Sequence, residues 1–261
     1  MIGFIGGGNM AEALIRGMTS QGMKDIFVSE PREDRRRQLE QTYRVKTTGS
    51  NQEVARACDI FFLAVKPQNM EAVLGEIADS VTEGKTVVSI AAGVTLSYLE
   101  QKLGIKQLIR VMPNTPSLVQ EGMSVMSLCG CFYGKETEIV RGIMMSIGKV
   151  LTLPEHLMNA VTALSGSGPA FIALFLEAMI ESGERMGISA ADSAQLAVQT
   201  LLGTAKLLDT GISPANLRKM VTSPGGTTEA GLKVFGERNL KGVVAAALEA
   251  ARTRADELGA K

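Results

Sequence analysis

The first eleven residues, Met1-Ile2-Gly3-Phe4-Ile5-Gly6-Gly7-Gly8-Asn9-Met10-Ala11, run a short apolar stretch straight into G-x-G-x-x-A. Gly6 permits a tight turn out of a strand. Gly8 has no Cβ, so a pyrophosphate can approach the backbone there, and the small Ala11 lets helix and strand pack closely. A helix that starts near Asn9 aims its free N–H groups at the same phosphates. Three small residues recur by chance, but here a strand precedes them, an amphipathic stretch (Ala13, Leu14, Met18) follows, and a second strand comes next. That context predicts a dinucleotide site.

Up to about residue 150, strand-like runs alternate with helical ones. The expected strands are Ile2–Ile5, Ile26–Ser29, Ile60–Val65, Thr86–Ile90 and Leu108–Met112. Between them Ala11–Met18, Arg32–Tyr43, Asn51–Ala57, Met70–Ile77 and Leu96–Leu103 carry apolar residues at helical spacing. Such alternation predicts a parallel sheet, doubly wound, with helices on both faces. Ligands on such sheets sit beyond the carboxyl ends of the strands. The segments there are Glu30-Pro31-Arg32, Lys66-Pro67-Gln68, Ala91-Ala92-Gly93 and Pro113-Asn114-Thr115-Pro116. Each reads alone as loop punctuation; four together on one edge point to a site.

After Leu153-Pro154 the strand signals stop. Helices are expected over Leu157–Met186 with a kink at Pro169, then Ala190–Leu208, Pro214–Val221, Thr228–Arg238 and Val243–Leu258. Gly187 closes the first, Ser189 with Asp192 caps the second, and Ser213-Pro214 is an N-cap followed by an N1 proline. These signals divide the chain into residues 1–152 and 153–261. Alanine and leucine fill more than one face of the later helices, which calls for a partner and predicts an intertwined homodimer. Leu157 to Leu176 carries no charge and is nominally long enough to span a membrane. It also holds Asn159, Thr162, Ser165, Ser167 and Pro169 and is flanked by Glu155 and Glu177, so a helix buried by protein on most sides is expected instead.

Lys plus Arg and Asp plus Glu are balanced at 27 each. That argues against a nucleic-acid partner, and the run Arg35-Arg36-Arg37 reads as a solvated helix face. Three cysteines and no secretory leader ahead of the first strand fit a reducing cytoplasm. Cys129-Gly130-Cys131 lacks the spacing of a zinc site, and no metal is expected. The one histidine, His156, stands without a supporting hydrolase motif.

Read together, several segments resemble the pyrroline-5-carboxylate reductases in order and spacing over essentially the whole chain. In the first half these are Phe4-Ile5-Gly6-Gly7-Gly8-Asn9-Met10, Ala64-Val65-Lys66-Pro67, Ser89-Ile90-Ala91-Ala92-Gly93-Val94 and Met112-Pro113-Asn114-Thr115-Pro116. In the second they are Leu164-Ser165-Gly166-Ser167-Gly168-Pro169-Ala170 and Ser223-Pro224-Gly225-Gly226-Thr227-Thr228. The resemblance implies a Rossmann-like domain followed by an all-helical dimerisation domain, often assembled into larger rings. It also implies NAD(P)H-dependent reduction of 1-pyrroline-5-carboxylate to L-proline, the last step of proline biosynthesis.

The residues agree with imine chemistry. Reducing a ketone leaves an alkoxide that needs a strong proton donor, yet Leu151 to Ala205 contains no lysine and no tyrosine follows Tyr133. The related hydroxyacid dehydrogenases carry a catalytic lysine at about the place of Ser165 to Phe171. A protonated cyclic imine is already an electrophile, and hydride addition yields a neutral amine, so a hydroxyl or water donor suffices. Gly225-Gly226-Thr227-Thr228, opening a helix, offers N–H groups, hydroxyls and a positive helix end to the substrate carboxylate. The same segment also reads as a plain N-cap turn.

Carried over from the family, Gly6, Gly7, Gly8, Asn9 and Met10 hold the pyrophosphate and Asn51 lies near the adenosine end. Ala64, Val65, Lys66 and Pro67 line the path to the nicotinamide, with Ala91, Ala92 and Gly93 beneath it. Thr228 is the substrate-binding hydroxyl and candidate proton source, supported by Ser223. Lys66 has an alternative reading as an ordinary surface lysine. Glu30, standing where a carboxylate usually bonds the adenosine ribose of NAD, conflicts with the small polar residue and NADPH preference of many family members. Arg32, Arg35 and Arg36 would pair with a 2′-phosphate if Glu30 pointed away; NADP and NAD both stay open. Two rivals remain: another imine or keto-acid reductase of the same build, and a non-enzymatic dinucleotide-sensing protein.

Overall fold

The computed structural model describes residues 1–130 and 134–259; Cys131 and Tyr133 lie outside them. One eight-stranded sheet is formed by β1 (Ile2–Ile5), β2 (Ile26–Ser29), β3 (Lys46–Thr48), β4 (Ile60–Leu63), β5 (Thr86–Ser89), β6 (Leu108–Met112), β7 (Gly122–Leu128) and β8 (Gly148–Thr152), in the order β3-β2-β1-β4-β5-β6-β7-β8. Strands β1 to β6 are parallel. β7 runs antiparallel to β6, and β8 pairs parallel to β7. The five strands expected from the sequence are parallel as read, and β3, β7 and β8 extend the sheet, β7 bringing in one antiparallel pairing. Direction reverses after β6 because the chain returns through a short turn, Thr115–Val119, where no crossover helix fits.

The helices of this half are α1 (Asn9–Ser20), α2 (Glu33–Tyr43), α3 (Asn51–Ala57), α4 (Met70–Ile77), α5 (Leu96–Leu103) and α6 (Lys135–Met145). Neighbouring strand residues face opposite layers. Phe4 and Phe62 stack, with ring centroids 4.9 Å apart, in the layer beneath α1, α2 and α6. Ile5 and Phe61 point the other way, into the layer under α3, α4 and α5. Each such side chain is shut from water, and burial stabilises by about 1.5–3 kcal/mol apiece.

The long helix expected over Leu157–Met186 is broken earlier than Pro169. α7 (Met158–Val161) runs into a π turn at Thr162–Gly166, and α8 (Gly168–Arg185) starts afresh. Pro169 then falls in the first turn of α8, where its missing N–H costs nothing. The remaining helices are α9 (Ala190–Asp209), α10 (Pro214–Met220), α11 (Thr227–Glu237) and α12 (Leu240–Gly259). Ser189 accepts the N–H of Asp192 at 3.1 Å and Ser213 that of Asn216 at 3.2 Å, as the capping signals require.

By its internal contacts the chain forms two compact units, residues 1–167 with 251–261, and residues 168–250. Met158 and Val161 pack on Val125 of β7, which ties the start of the helical region to the first unit. The second unit has almost no interior: among its residues only Gly183, Ser193 and Ala197 are buried. Phe175 of α8 and Phe235 of α11 meet with ring centroids 6.4 Å apart and planes tilted by 43°, while Leu174 (65% exposed) and Leu196 (58%) face outward. The run Glu155–Arg185 is long and apolar enough to cross a membrane by length and composition, with 6% of its most apolar window buried. The expectation of a helix covered on most sides is not met within one chain, because this unit supplies no second layer to cover α8.

Candidate active site

Strand order reverses between β1 and β4, which opens a crevice at the carboxyl edge of the sheet. Ile5 is level with Ser29 on one side and Leu63 on the other, and Leu63 is level with Ser89. This register brings Gly6–Met10, Glu30–Arg32, Ala64–Pro67 and Ala91–Gly93 to one edge. The N–H of Gly6 bonds the carbonyl of Ser29 at 2.8 Å, and that of Ala64 bonds Ile5 at 2.8 Å.

Gly6 sits at φ +99, and a Cβ there would stand 2.8 Å from the Ala64 carbonyl oxygen. No other residue fits that turn. The Cβ position of Gly8, by contrast, has nothing within 4 Å. Gly8 is the N-cap of α1, and no side chain caps it. An open glycine before uncapped helix N–H groups is the cradle a pyrophosphate needs, so the residues present fit a dinucleotide.

Glu30 is buried and turned inward. Its Oε2 accepts the N–H of Gly7 at 3.1 Å, and its Oε1 accepts the N–H and Nε of Arg32 at 3.2 and 2.9 Å. The bond and charge of Glu30 raise the pKa of Arg32, whose side chain stays 61% exposed. Arg35 is committed elsewhere: its Nε donates to the Gly7 carbonyl at 2.8 Å and its Nη2 to Glu12 at 2.6 Å. Burial pushes the Glu12 carboxyl up, but bonds from Arg35 and Tyr43 and the charge of Arg35 outweigh it, leaving the net value below the ordinary 4.5. Arg36 caps the carbonyls of Glu30 and Pro31. Of the three arginines, Arg32 is the one left exposed toward solvent.

Asn51 opens α3, its Oδ1 accepting the Ser29 hydroxyl at 2.7 Å while its Nδ2 donates to Glu76. Lys66 is exposed, just past β4. Gly93 has φ +77 and lies beside the backbone of Leu258 and Gly259. Asn114 has a role that the loop alone did not reveal. Its Nδ2 donates to the hydroxyl of Ser165 at 3.2 Å and its Oδ1 accepts the N–H of Met123 at 2.8 Å, tying the loop after β6 to the π turn. Cys58 is a packing residue, with burial pushing its thiol up to about 11.

In the second unit Ser223 and Gly225–Thr228 form a turn of their own. Gly225 takes φ +71, Gly226 is the N-cap of α11 without a side-chain cap, and its N–H bonds the Ser223 carbonyl at 3.0 Å. Glu229 reaches back to accept the Gly225 N–H at 2.7 Å, so one donor of the turn is already held by a carboxylate. Thr228 is half-buried. A depression of about 540 Å³ lies at Gly225, Gly226, Glu229, Ala230, Leu232 and Lys233.

A doubly wound sheet with an open glycine cradle at its strand-order reversal defines the nucleotide half of a dinucleotide-dependent oxidoreductase. In agreement, residues 1–93 match a family described as NADP oxidoreductase, coenzyme F420-dependent, and residues 155–258 match pyrroline-5-carboxylate reductase dimerisation. Over 264 residues the chain is 39% identical to pyrroline-5-carboxylate reductase of Synechocystis sp., covering 100% of this chain and 98% of that one. A solved reductase of the same name from Coxiella burnetii superposes with TM-score 0.92 at 38% identity, covering 98% and 97% of the two chains. The Plasmodium falciparum pyrroline carboxylate reductase, solved with NADP bound, superposes with TM-score 0.87 at 31% identity over 99% and 97%. The chain belongs to the pyrroline-5-carboxylate reductase family.

Proposed function

We propose how this chain carries out its family's reaction, the NAD(P)H-dependent reduction of 1-pyrroline-5-carboxylate to L-proline. The observation that carries the reading is the cradle at Gly6 and Gly8, with Gly6 barred from any side chain and Gly8 open. The nicotinamide cofactor, when bound, supplies a hydride. Gly6, Gly7, Gly8, Asn9 and Met10 bind its pyrophosphate through backbone N–H groups. Arg32 meets the 2′-phosphate of NADP, and Asn51 borders the adenosine. Ala64, Val65, Lys66 and Pro67 with Ala91, Ala92 and Gly93 hold the nicotinamide in place.

Gly226, Thr227 and Thr228 bind the substrate carboxylate at the start of α11, supported by Ser223. The protonated imine accepts hydride at carbon, the C=N electron pair passes to nitrogen, and the product is a neutral amine. No strong base or acid is needed on the protein, which suits a site of Ser and Thr hydroxyls. The Thr228 hydroxyl orients the imine and passes to its nitrogen, from solvent water, the one proton that the product amine keeps.

The helical region completes itself by pairing with a second copy. Three buried residues among positions 168–250, against exposed Ile172, Leu174 and Leu196, support a homodimer as the functional form. A dimer also removes the apolar face of α8 from water without a membrane. Cys58 and Cys129 are free thiols, which supports a reducing compartment, the cytoplasm.

Steady-state oxidation of NADPH and of NADH with pyrroline-5-carboxylate tests the whole reading at once. Turnover with at least one cofactor is expected; no turnover with either, alongside normal cofactor binding, would overturn it. Sedimentation at micromolar concentration should give a dimer or a multiple of one, and a monomer would refute the pairing.

A further inference from the structure

Arg110 lies in the middle of β6, in an otherwise apolar strand, with its side chain 4% exposed. A cation so placed must be paired, because leaving it bare in the interior is far costlier than any contact it interrupts. Its Nη1 donates to Glu155 Oε1 at 3.2 Å, and its Nη2 to Asn159 Oδ1 at 3.4 Å. Each partner reaches one step further. The same Glu155 oxygen accepts the N–H of Leu96, the first residue of α5, at 2.7 Å. Asn159 turns its Nδ2 to Asp256 Oδ1 at 2.7 Å, near the end of α12.

Both ends of this chain of bonds lead to the same loop. Leu96 follows the segment Ala91–Val94 with only Thr95, the N-cap of α5, between them. Three residues past Asp256, the backbone returns to Gly93: a Cβ there would stand 3.5 Å from the Leu258 carbonyl and 3.6 Å from the Gly259 nitrogen. We infer that Arg110, Glu155, Asn159 and Asp256 form a positioning network that clamps the last turn of α12 onto the β5–α5 loop. Arg110 and Asp256 act through their partners as positioning residues that set the loop on which the nicotinamide rests. The inference rests on the placement of Ala91–Gly93 beneath the nicotinamide.

The network is open at Asp256, which is exposed and removable without disturbing the core. The probes are NADPH and 2′-phospho-ADP-ribose, which lacks only the nicotinamide, with NADH and ADP-ribose run in parallel. Asp256→Ala should weaken the intact dinucleotides roughly three- to tenfold, the scale of one ordinary hydrogen bond in an exposed setting. The fragments should be unaffected, and Asp256→Asn, which keeps the acceptor for Asn159, should restore binding. Gly93→Ala, strained at φ +77, tests the underlying placement by the same comparison. If Gly93→Ala separates dinucleotide from fragment and Asp256→Ala does not, the clamp is refuted while the loop assignment stands. If Asp256→Ala weakens fragment and dinucleotide together, the residue serves general stability and the clamp is again refuted. If Gly93→Ala weakens both probes equally, the loop does not carry the nicotinamide and both ideas fall.

Discussion

Glu30→Gln separates two jobs that the structure loads onto one carboxylate. Glu30 holds the Gly7 N–H at 3.1 Å and also neutralises Arg32 at 2.9 Å, on the edge where the adenosine ribose of a dinucleotide belongs. Glutamine keeps an oxygen for Gly7 and removes the charge. A 2′-phosphate then escapes repulsion by the carboxylate and gains an Arg32 guanidinium with no competing anion. One unit charge acting through a partly screened surface amounts to about 1–2 kcal/mol, or roughly five- to thirtyfold in a ratio of rate constants. The weaker bond to Gly7 costs something as well, but both cofactors share the pyrophosphate turn, so that cost cancels in the ratio. The assay is kcat/KM for NADPH and for NADH at saturating pyrroline-5-carboxylate. The NADPH:NADH ratio should rise. If both constants fall together and the ratio stays put, Glu30 is a brace for the glycine turn and has no part in cofactor choice.

Three further outcomes are expected. Thr228→Val keeps shape and removes a hydroxyl, so kcat/KM for the imine should drop by about 1.5–3 kcal/mol, roughly ten- to hundredfold, with cofactor affinity constant; a change in thermal stability alone would make the motif a helix cap. Gly6→Ala forces a Cβ to 2.8 Å from the Ala64 oxygen at φ +99, and should lower stability by about 1–3 kcal/mol and weaken both cofactors; an unchanged denaturation midpoint would contradict the geometry. Glu12 has a folded pKa below its ordinary 4.5, so its stabilisation is complete above pH 4.5 and is lost as pH falls through the lowered value. Glu12→Gln should therefore flatten the acid limb of the stability profile, and an unaltered limb would show that the pair with Arg35 contributes nothing.

The fold was legible where the pattern was dictated by burial on both sides. Ile2–Ile5, Ile26–Ser29 and Leu108–Met112 read as predominantly apolar runs, the last broken only by Arg110, because helices cover both their faces, and they form strands over those bounds. Lys46–Thr48 escaped notice: three residues with partly exposed side chains at the sheet edge leave no such run. Gly148–Thr152 is likewise an edge strand, exposed along most of its length. β7 hid for a different reason. Ser124 and Ser127 are buried within it, so its apolar run is interrupted at positions that face inward. The break at Thr162–Gly166 was missed because proline is the breaker a sequence advertises, whereas here the extra residue of a π turn does the work, and its nearest cause is the tie from Ser165 to Asn114.

The candidate site divides along the same line. The glycine turn was readable because backbone geometry demands it locally: only glycine takes φ +99 with a carbonyl at its back. The loops past β2, β4 and β5 were readable because parallel strands in register bring their ends together whatever the side chains are. What a side chain does at those ends was not readable. Glu30 was expected to bond the ribose or to point away from it, and its carboxylate accepts the Gly7 N–H, a partner 23 residues distant that no local spacing announces. Glu229 stands four residues past Gly225 and yet takes its N–H, which local spacing alone leaves undecided against a solvent-facing rotamer. Arg110 is the instructive case. Its partners lie 45 and 49 residues away, beyond any motif. Still, a cation inside the apolar run Leu108–Met112 is itself a signal: burial obliges it to find an acceptor, and an acceptor brought that far must carry a second element with it. Such a residue marks a joint between elements, and the joint it makes here is the one that reaches Gly93.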